Sequence, residues 1–152
     1  MASTSSTLEF FDDLVRCETR LYNALNDDLR RDHGIVTSQY ELLRHLHDHP
    51  GSRIADLASR FAVGVGATSK GVDRCEQRGW LRRLQNPTDR RSSLLELTPE
   101  GRELVDAAHA TVTRRLAELL DPLTSAQLSG AATALAQLRR TLETGRVGTP
   151  AG

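Results

Sequence analysis

The chain has 152 residues, enough for one compact domain or two interleaved halves. Aromatic residues make up only 4%, the apolar residues are mostly Leu, Ala and Val, no apolar run is long enough to span a membrane, and the two distant cysteines form no CxxC pair. Net charge is zero but unevenly spread: residues 51–102 hold ten Arg or Lys against six Asp or Glu, whereas residues 1–50 hold five against nine. A helical, reduced, cytoplasmic protein is expected, with no membrane partner and with its positive charge gathered in the middle of the chain.

The first seven residues lack the basic and apolar segments of a signal peptide and are expected to form a free tail. A long helix is expected from about Thr7 to Asp32, with Leu8, Phe11, Leu14, Val15, Leu21, Tyr22, Leu25 and Leu29 as its apolar stripe and His33-Gly34 as its end. The next helix, Gln39 to His49, starts from a capping box Ser38-x-x-Glu41, or from Thr37, and stops at Pro50-Gly51. In Ile54-Ala-Asp-Leu-Ala-Ser-Arg-Phe61, the residues Ile54, Leu57, Ala58 and Phe61 recur at helical spacing.

A tight turn at Ala62-Val63-Gly64 leads to a helix from Val65 to Arg78, closed by Gly79. Helical projection puts Val65, Thr68, Val72 and Cys75 on its buried side and Gly66, Lys70, Asp73, Arg74 and Gln77 outward. Two short helices at a steep angle, the second exposed, are what major-groove reading requires. Trp80-Leu-Arg-Arg-Leu84 and Ser93-Leu-Leu-Glu-Leu97 are expected to pair as strands. Between them lie the turn signal Asn86-Pro87 and the charged run Asp89-Arg90-Arg91.

Thr98-Pro99-Glu100 has the chemistry of a helix start, and that helix runs to about Leu120 before Asp121-Pro122 breaks it. Thr124-x-x-Gln127 caps a last helix to about Glu143, followed by a loose tail over 144–152. The apolar stripes of the first and last helices are too large for a small DNA module to cover. They are expected to pack against a second copy, so that a two-fold dimer presents two reading helices to successive faces of the major groove.

In order and spacing, Thr37-x-Gln39-Tyr40 with Leu43 and Leu46, Ile54-Ala-Asp-Leu-Ala58, Asp73-Arg-x-Glu-x-x-Gly79-Trp-Leu81, and Asp89-Arg-Arg91 before Leu95-x-Leu97-Thr98-x-x-Gly101 resemble the multiple-antibiotic-resistance regulator (MarR) family. The resemblance covers residues 8–143. It implies a mainly α fold with a small β-hairpin wing: a winged helix-turn-helix over 37–102 and a helical dimerisation domain from 8–36 and 103–143. It also implies a homodimeric transcription factor, usually a repressor, that binds double-stranded DNA and is often released by a small phenolic or other aromatic acid.

Carried over position by position, the recognition helix is Val65 to Arg78. There Ser69 and Lys70 are the expected groove contacts, because hydroxyl and ammonium groups reach base edges, and Arg74 is expected on phosphate. In the wing, Arg91 matches the arginine that enters the minor groove, Asp89 the acid that braces it, and Arg90 a phosphate or second groove contact. Gly64, Val65 and Ala67 depart from the family pattern, which often has Asp, Ser or Thr there. The effector pocket is implied between dimer helices and DNA module, lined by Arg16, Arg20, Tyr22, Leu43 and His47, with Arg16 or Arg20 supplying the cation.

Other constellations are weaker. Gly64-x-Gly66-x-x-x-Lys70-Gly71 lacks the Lys-Ser/Thr pair of a phosphate loop and no strand precedes it. His45 and His49 can share a helix face, but no acid or cysteine completes an obvious metal set. Cys17 and Cys75 are expected to be packing residues. A metal or oxidant sensor of the same fold, and a helical interaction protein without DNA binding, are the competing readings. No nucleophile–base–acid set can be assembled, so neither an enzyme nor a cofactor is expected.

Overall fold

The computed structural model describes residues 3–151. The chain runs α1 (Thr4–His33), α2 (Thr37–Asp48), α3 (Ile54–Phe61), α4 (Val65–Gln77), β1 (Leu81–Gln85), β2 (Ser93–Leu97), α5 (Pro99–Leu120) and α6 (Ser125–Thr144). It is mainly α with one antiparallel hairpin, and no helix among the described residues is long and apolar enough to cross a membrane.

Most ends follow from local chemistry. Thr98 caps α5 by accepting from Gly101 N–H at 3.0 Å, with Pro99 in the first turn. At α6 the capping box is reciprocal: Gln127 N–H donates to Thr124 Oγ1 (3.1 Å), and Thr124 N–H to Gln127 Oε1 (2.9 Å). α4 ends at Gln77 with Arg78 as its cap residue, and Gly79 takes a left-handed φ of 79° that turns the chain into the wing.

Two starts differ from expectation. Of the tail expected over 1–7, Met1 and Ala2 lie outside the described residues, but Thr4–Thr7 are helical, because Ser3 Oγ accepts from Ser6 N–H and caps α1. At the other end Gly152 lies outside the described residues. α2 begins at Thr37 with Val36 as its cap residue, so Thr37 and Ser38 both stand inside the helix. Its first amides find partners elsewhere: Val36 N–H donates to Gln39 Oε1 (3.0 Å), and Thr37 N–H to Asn26 Oδ1 on α1 (2.8 Å). A partner from α1 cannot be read from local spacing.

One core joins the C-terminal half of α1 (Leu25, Leu29), α2 (Tyr40, Leu43, Leu46), α3 (Leu57), α4 (Val72, Cys75), the hairpin (Leu81, Leu95, Leu97) and α5 (Val105, Ala108, Val112). β1 and β2 pair with Leu81 opposite Leu97 and Gln85 opposite Ser93. A third segment joins them: Leu95 N–H donates to Ser52 O (2.8 Å) and Gly51 N–H to Leu95 O (2.9 Å). The wing is therefore hydrogen-bonded to the α2–α3 link as well as to itself.

The hairpin is also pinned to α5. Thr98 Oγ1 donates to Gly79 O (2.6 Å) and Thr98 N–H to Trp80 O (3.0 Å). At Gly101 an added Cβ would lie 1.9 Å from Trp80 O, which is backbone and cannot swing aside. Gly101→Ala is therefore expected to lower stability by about 1–3 kcal/mol through overpacking, read as a fall in the urea midpoint. An unchanged midpoint would mean that α5 does not press on the wing base in solution.

Two helix surfaces stand largely uncovered among the described residues. In the N-terminal half of α1, Leu8 is 65% and Phe11 63% exposed, and α6 contains no buried residue.

Candidate nucleic-acid interface

In α4, alternation between core and surface sets the outward face. Thr68, Val72 and Cys75 are buried, and burial pushes the Cys75 thiol up to about 11, so it is an unreactive packing group. Val65 shares their face but is 56% exposed, contrary to expectation. It occupies the first helical position, and projection gives a direction without showing whether a neighbour reaches that far. Lys70 and Arg74 are exposed and Ser69 half-buried, so all three expected contacts stand on or at the flank of the outward face.

That face also carries Asp73, with Glu76 beside it. Both acids are engaged by Arg83 from β1, whose guanidinium lies 2.5 Å from Asp73 Oδ1 and also bonds Glu76 Oε1. The pairing sets a cation between two acids of α4 and ties the helix to the hairpin. Arg83 was missed at the sequence level, although strand alternation held the signal: 81 and 83 share a face, and Leu81 is buried against α4 and its neighbours. On the opposite face Arg82 pairs with Glu96, its partner in register.

The wing tip is built by short polar side chains. The buried Asn86 donates from Nδ2 to Ser92 Oγ (3.1 Å) and accepts at Oδ1 from Thr88 N–H (3.1 Å) and Thr88 Oγ1 (2.8 Å). Asp89 Oδ1 accepts from Arg91 N–H at 2.9 Å, and Oδ2 from Ser92 Oγ at 3.3 Å. The carboxylate thus holds the Arg91 backbone and leaves the side chain unpaired. Arg90 and Arg91 are exposed at the tip, without a salt bridge among the described residues.

The residues expected around an effector do not converge. Arg16 is exposed, 3.5 Å from Asp12, and Arg20 is exposed on the same helix. Leu43 is wholly buried in the core. His47 lies on the α5 side of α2, with Nδ1 3.0 Å from Asp48 and Nε2 3.8 Å from Asp106. Tyr22 alone of the five lines a cavity of about 390 Å³ bounded by α1, α2, α3 and α4. Burial, then the Glu41 charge, raises the Tyr22 hydroxyl above its usual range.

Elsewhere, the His45 and His49 rings stack at 4.6 Å, and His45 Nε2 lies 3.3 Å from Ser52 Oγ. Among the described residues no three His, Cys, Asp or Glu side chains are placed to hold a metal ion. Cys17 is exposed on α1.

The chain that carries this exposed helix and basic hairpin matches known proteins in sequence and shape. The MarR family model matches residues 35–93, which run from just before α2 to the first residue of β2. The multiple antibiotic resistance protein MarR of Salmonella typhimurium is 27% identical over 110 residues, 68% of this chain and 76% of that protein. The transcriptional repressor MdtR of Bacillus subtilis is 31% identical over 111 residues, 73% of this chain and 72% of that protein. A MarR family transcriptional regulator of Streptomyces coelicolor, solved in complex with DNA, superposes with a TM-score of 0.81 at 26% identity, covering 93% of this chain and 90% of that one. With the relatives' identity extending well beyond the matched segment and a superposition that covers nearly the whole chain, this chain belongs to the MarR family of winged helix-turn-helix transcription regulators.

Proposed function

We propose that the chain acts as a homodimeric repressor that reads a pseudo-palindromic operator and lets go of it when a small phenolic or other aromatic acid binds. The observation that carries the dimer is the uncovered apolar surface. Leu8, Phe10, Phe11 and Val15 on α1 and Leu128, Leu135, Leu138 and Leu142 on α6 face solvent in the single chain. Contiguous apolar patches of this kind mark association surfaces. α6 stands off from α3 across an open groove of about 1060 Å³. With the exposed apolar faces, this supports giving residues 8–36 and 103–143 to dimerisation and 37–102 to DNA.

Two-fold pairing sets two α4 helices toward one side of a duplex, Ser69 and Lys70 on base edges and Arg74 on phosphate, with Arg90 and Arg91 flanking them from the wings. The repressor sign is supported by the resemblance to MdtR, itself named a repressor. Ligand release is supported by the cavity behind the recognition helix. Titrating salicylate into the protein–operator complex is expected to weaken it and to raise the melting temperature of the free protein. Neither effect, with salicylate or with related aromatic acids, would remove ligand release from the proposal.

A further inference from the structure

The leading end of α4 carries no polar side chain that a duplex could use. Gly64, Val65, Gly66 and Ala67 have no side-chain donor or acceptor. The first hydroxyl, on Thr68, is buried and donates to Gly64 O at 3.0 Å, so it is engaged within the helix. No side chain caps α4, and no acid stands in its first turn. Ser69 is therefore the earliest polar side chain of α4 with any access to solvent.

What this first turn does offer is apolar. Val65 is 56% exposed. Val63 and Ala67, two residues to either side, line the cavity bounded by α1, α2, α3 and α4, which Val65 does not line. Helical spacing sets Val65 one turn before Ser69, on the same side of the helix. Gly66 stands one turn before Lys70 on the outward face, and a Cβ added there would meet nothing within 4 Å. Packing within the chain does not call for glycine at that position, and its bare backbone lets the helix approach a surface outside the chain closely.

The N-terminal residues of a recognition helix face base edges in the major groove. The only alkyl group on those edges is the C5-methyl of thymine. We propose that Val65 is a specificity residue, whose isopropyl group packs on the C5-methyl of one thymine in each operator half-site, beside the bases that Ser69 and Lys70 reach. This rests on the reading of α4 as the recognition helix. Contact removes both apolar groups from water and favours thymine without any hydrogen bond. The feature read is the methyl itself, so a base that pairs as thymine does but lacks the methyl is discriminated against.

The test uses the full-length protein and the duplex it selects from random sequence. Deoxyuridine replaces thymine one position at a time, symmetrically in both half-sites. Uracil pairs as thymine does and lacks only the methyl. At one position per half-site the native protein is expected to bind about fifteenfold more weakly, from about fourfold for each buried methyl. Val65→Ala removes the contacting groups from an exposed position, and circular dichroism should show the native fold. At that same DNA position its loss on uracil substitution should fall below about twofold, while its binding keeps the salt dependence of the native protein.

If no thymine of the selected duplex is sensitive to the loss of its methyl, no methyl is read and the proposal falls, while α4 keeps its reading role through Ser69 and Lys70. A uracil penalty that persists undiminished in Val65→Ala would assign the methyl to another side chain. If no duplex is enriched at all, the reading of α4 as a recognition helix fails, and this proposal with it.

Discussion

Charging the uncovered face of α1, with Leu8→Glu and Phe11→Glu in one protein, is expected to give a folded monomer that binds its operator about 10²–10⁴-fold more weakly than the dimer. The two side chains are 65% and 63% exposed in the single chain, so they contribute little to its own core. In a dimer they enter an apolar interface, where a carboxylate without a partner is strongly disfavoured. Losing the partner turns a two-headed grip into a single one, and the second half-site must then be found from free solution. Deleting residues 1–33 should also give a monomer or an aggregate, but it removes the core residues Leu25 and Leu29 as well. The double charge variant separates assembly from folding. Sedimentation, circular dichroism and operator titration read the outcome, and a variant that remains a dimer with native affinity would place the interface elsewhere.

Arg91→Ala is expected to weaken operator binding at least about tenfold and to make it less steeply salt-dependent, since fewer counterions are released. The side chain is exposed at the wing tip without a salt bridge among the described residues, while its backbone is fixed by Asp89. A narrow minor groove, where negative potential is enhanced, is a fitting receptor. Asp89→Ala is expected to weaken binding as well. A purely electrostatic view predicts the reverse, because an acid near phosphate has been removed. The geometry decides between them: the carboxylate accepts from Arg91 N–H and from Ser92 Oγ, and alanine frees both. Asp89→Asn keeps an acceptor oxygen without the charge, and should bind at least as well as the native protein. Affinities at two salt concentrations, on variants confirmed as folded dimers, carry the comparison. Tighter binding by Asp89→Ala would show that the acid is no brace, and native affinity in Arg91→Ala would take the wing out of the mechanism.

The parts of this fold that were legible in advance are those with local causes. Thr98 and Thr124 cap their helices with hydroxyls a few residues from the amides they satisfy, and Gly79 supplies a turn geometry that other residues adopt at a cost. Thr68, Val72 and Cys75 were placed by helical periodicity alone. What stayed hidden depends on distant segments. The start of α2 was misplaced because its first amide is satisfied by Asn26, and Val65 because it stands exposed at the first position of α4. Ser52 bonds the wing from a stretch that shows only a helix stop, and Arg83 joins two elements whose angle no periodicity states. The expected effector residues scattered for the same reason: Arg16 stands exposed on α1, Leu43 is wholly buried in the core, and His47 faces α5.

The most direct test of a two-fold DNA reader is to let the protein choose its own site. Full-length protein is incubated with duplexes of random sequence, and bound DNA is recovered, amplified and sequenced through successive rounds. A symmetric dimer with one recognition helix per chain predicts an enriched inverted repeat with half-site centres about 10–10.5 base pairs apart, or a multiple of that. It also predicts two chains per recovered duplex. Enrichment of a single asymmetric half-site bound by one chain, or no enrichment at all, would contradict it.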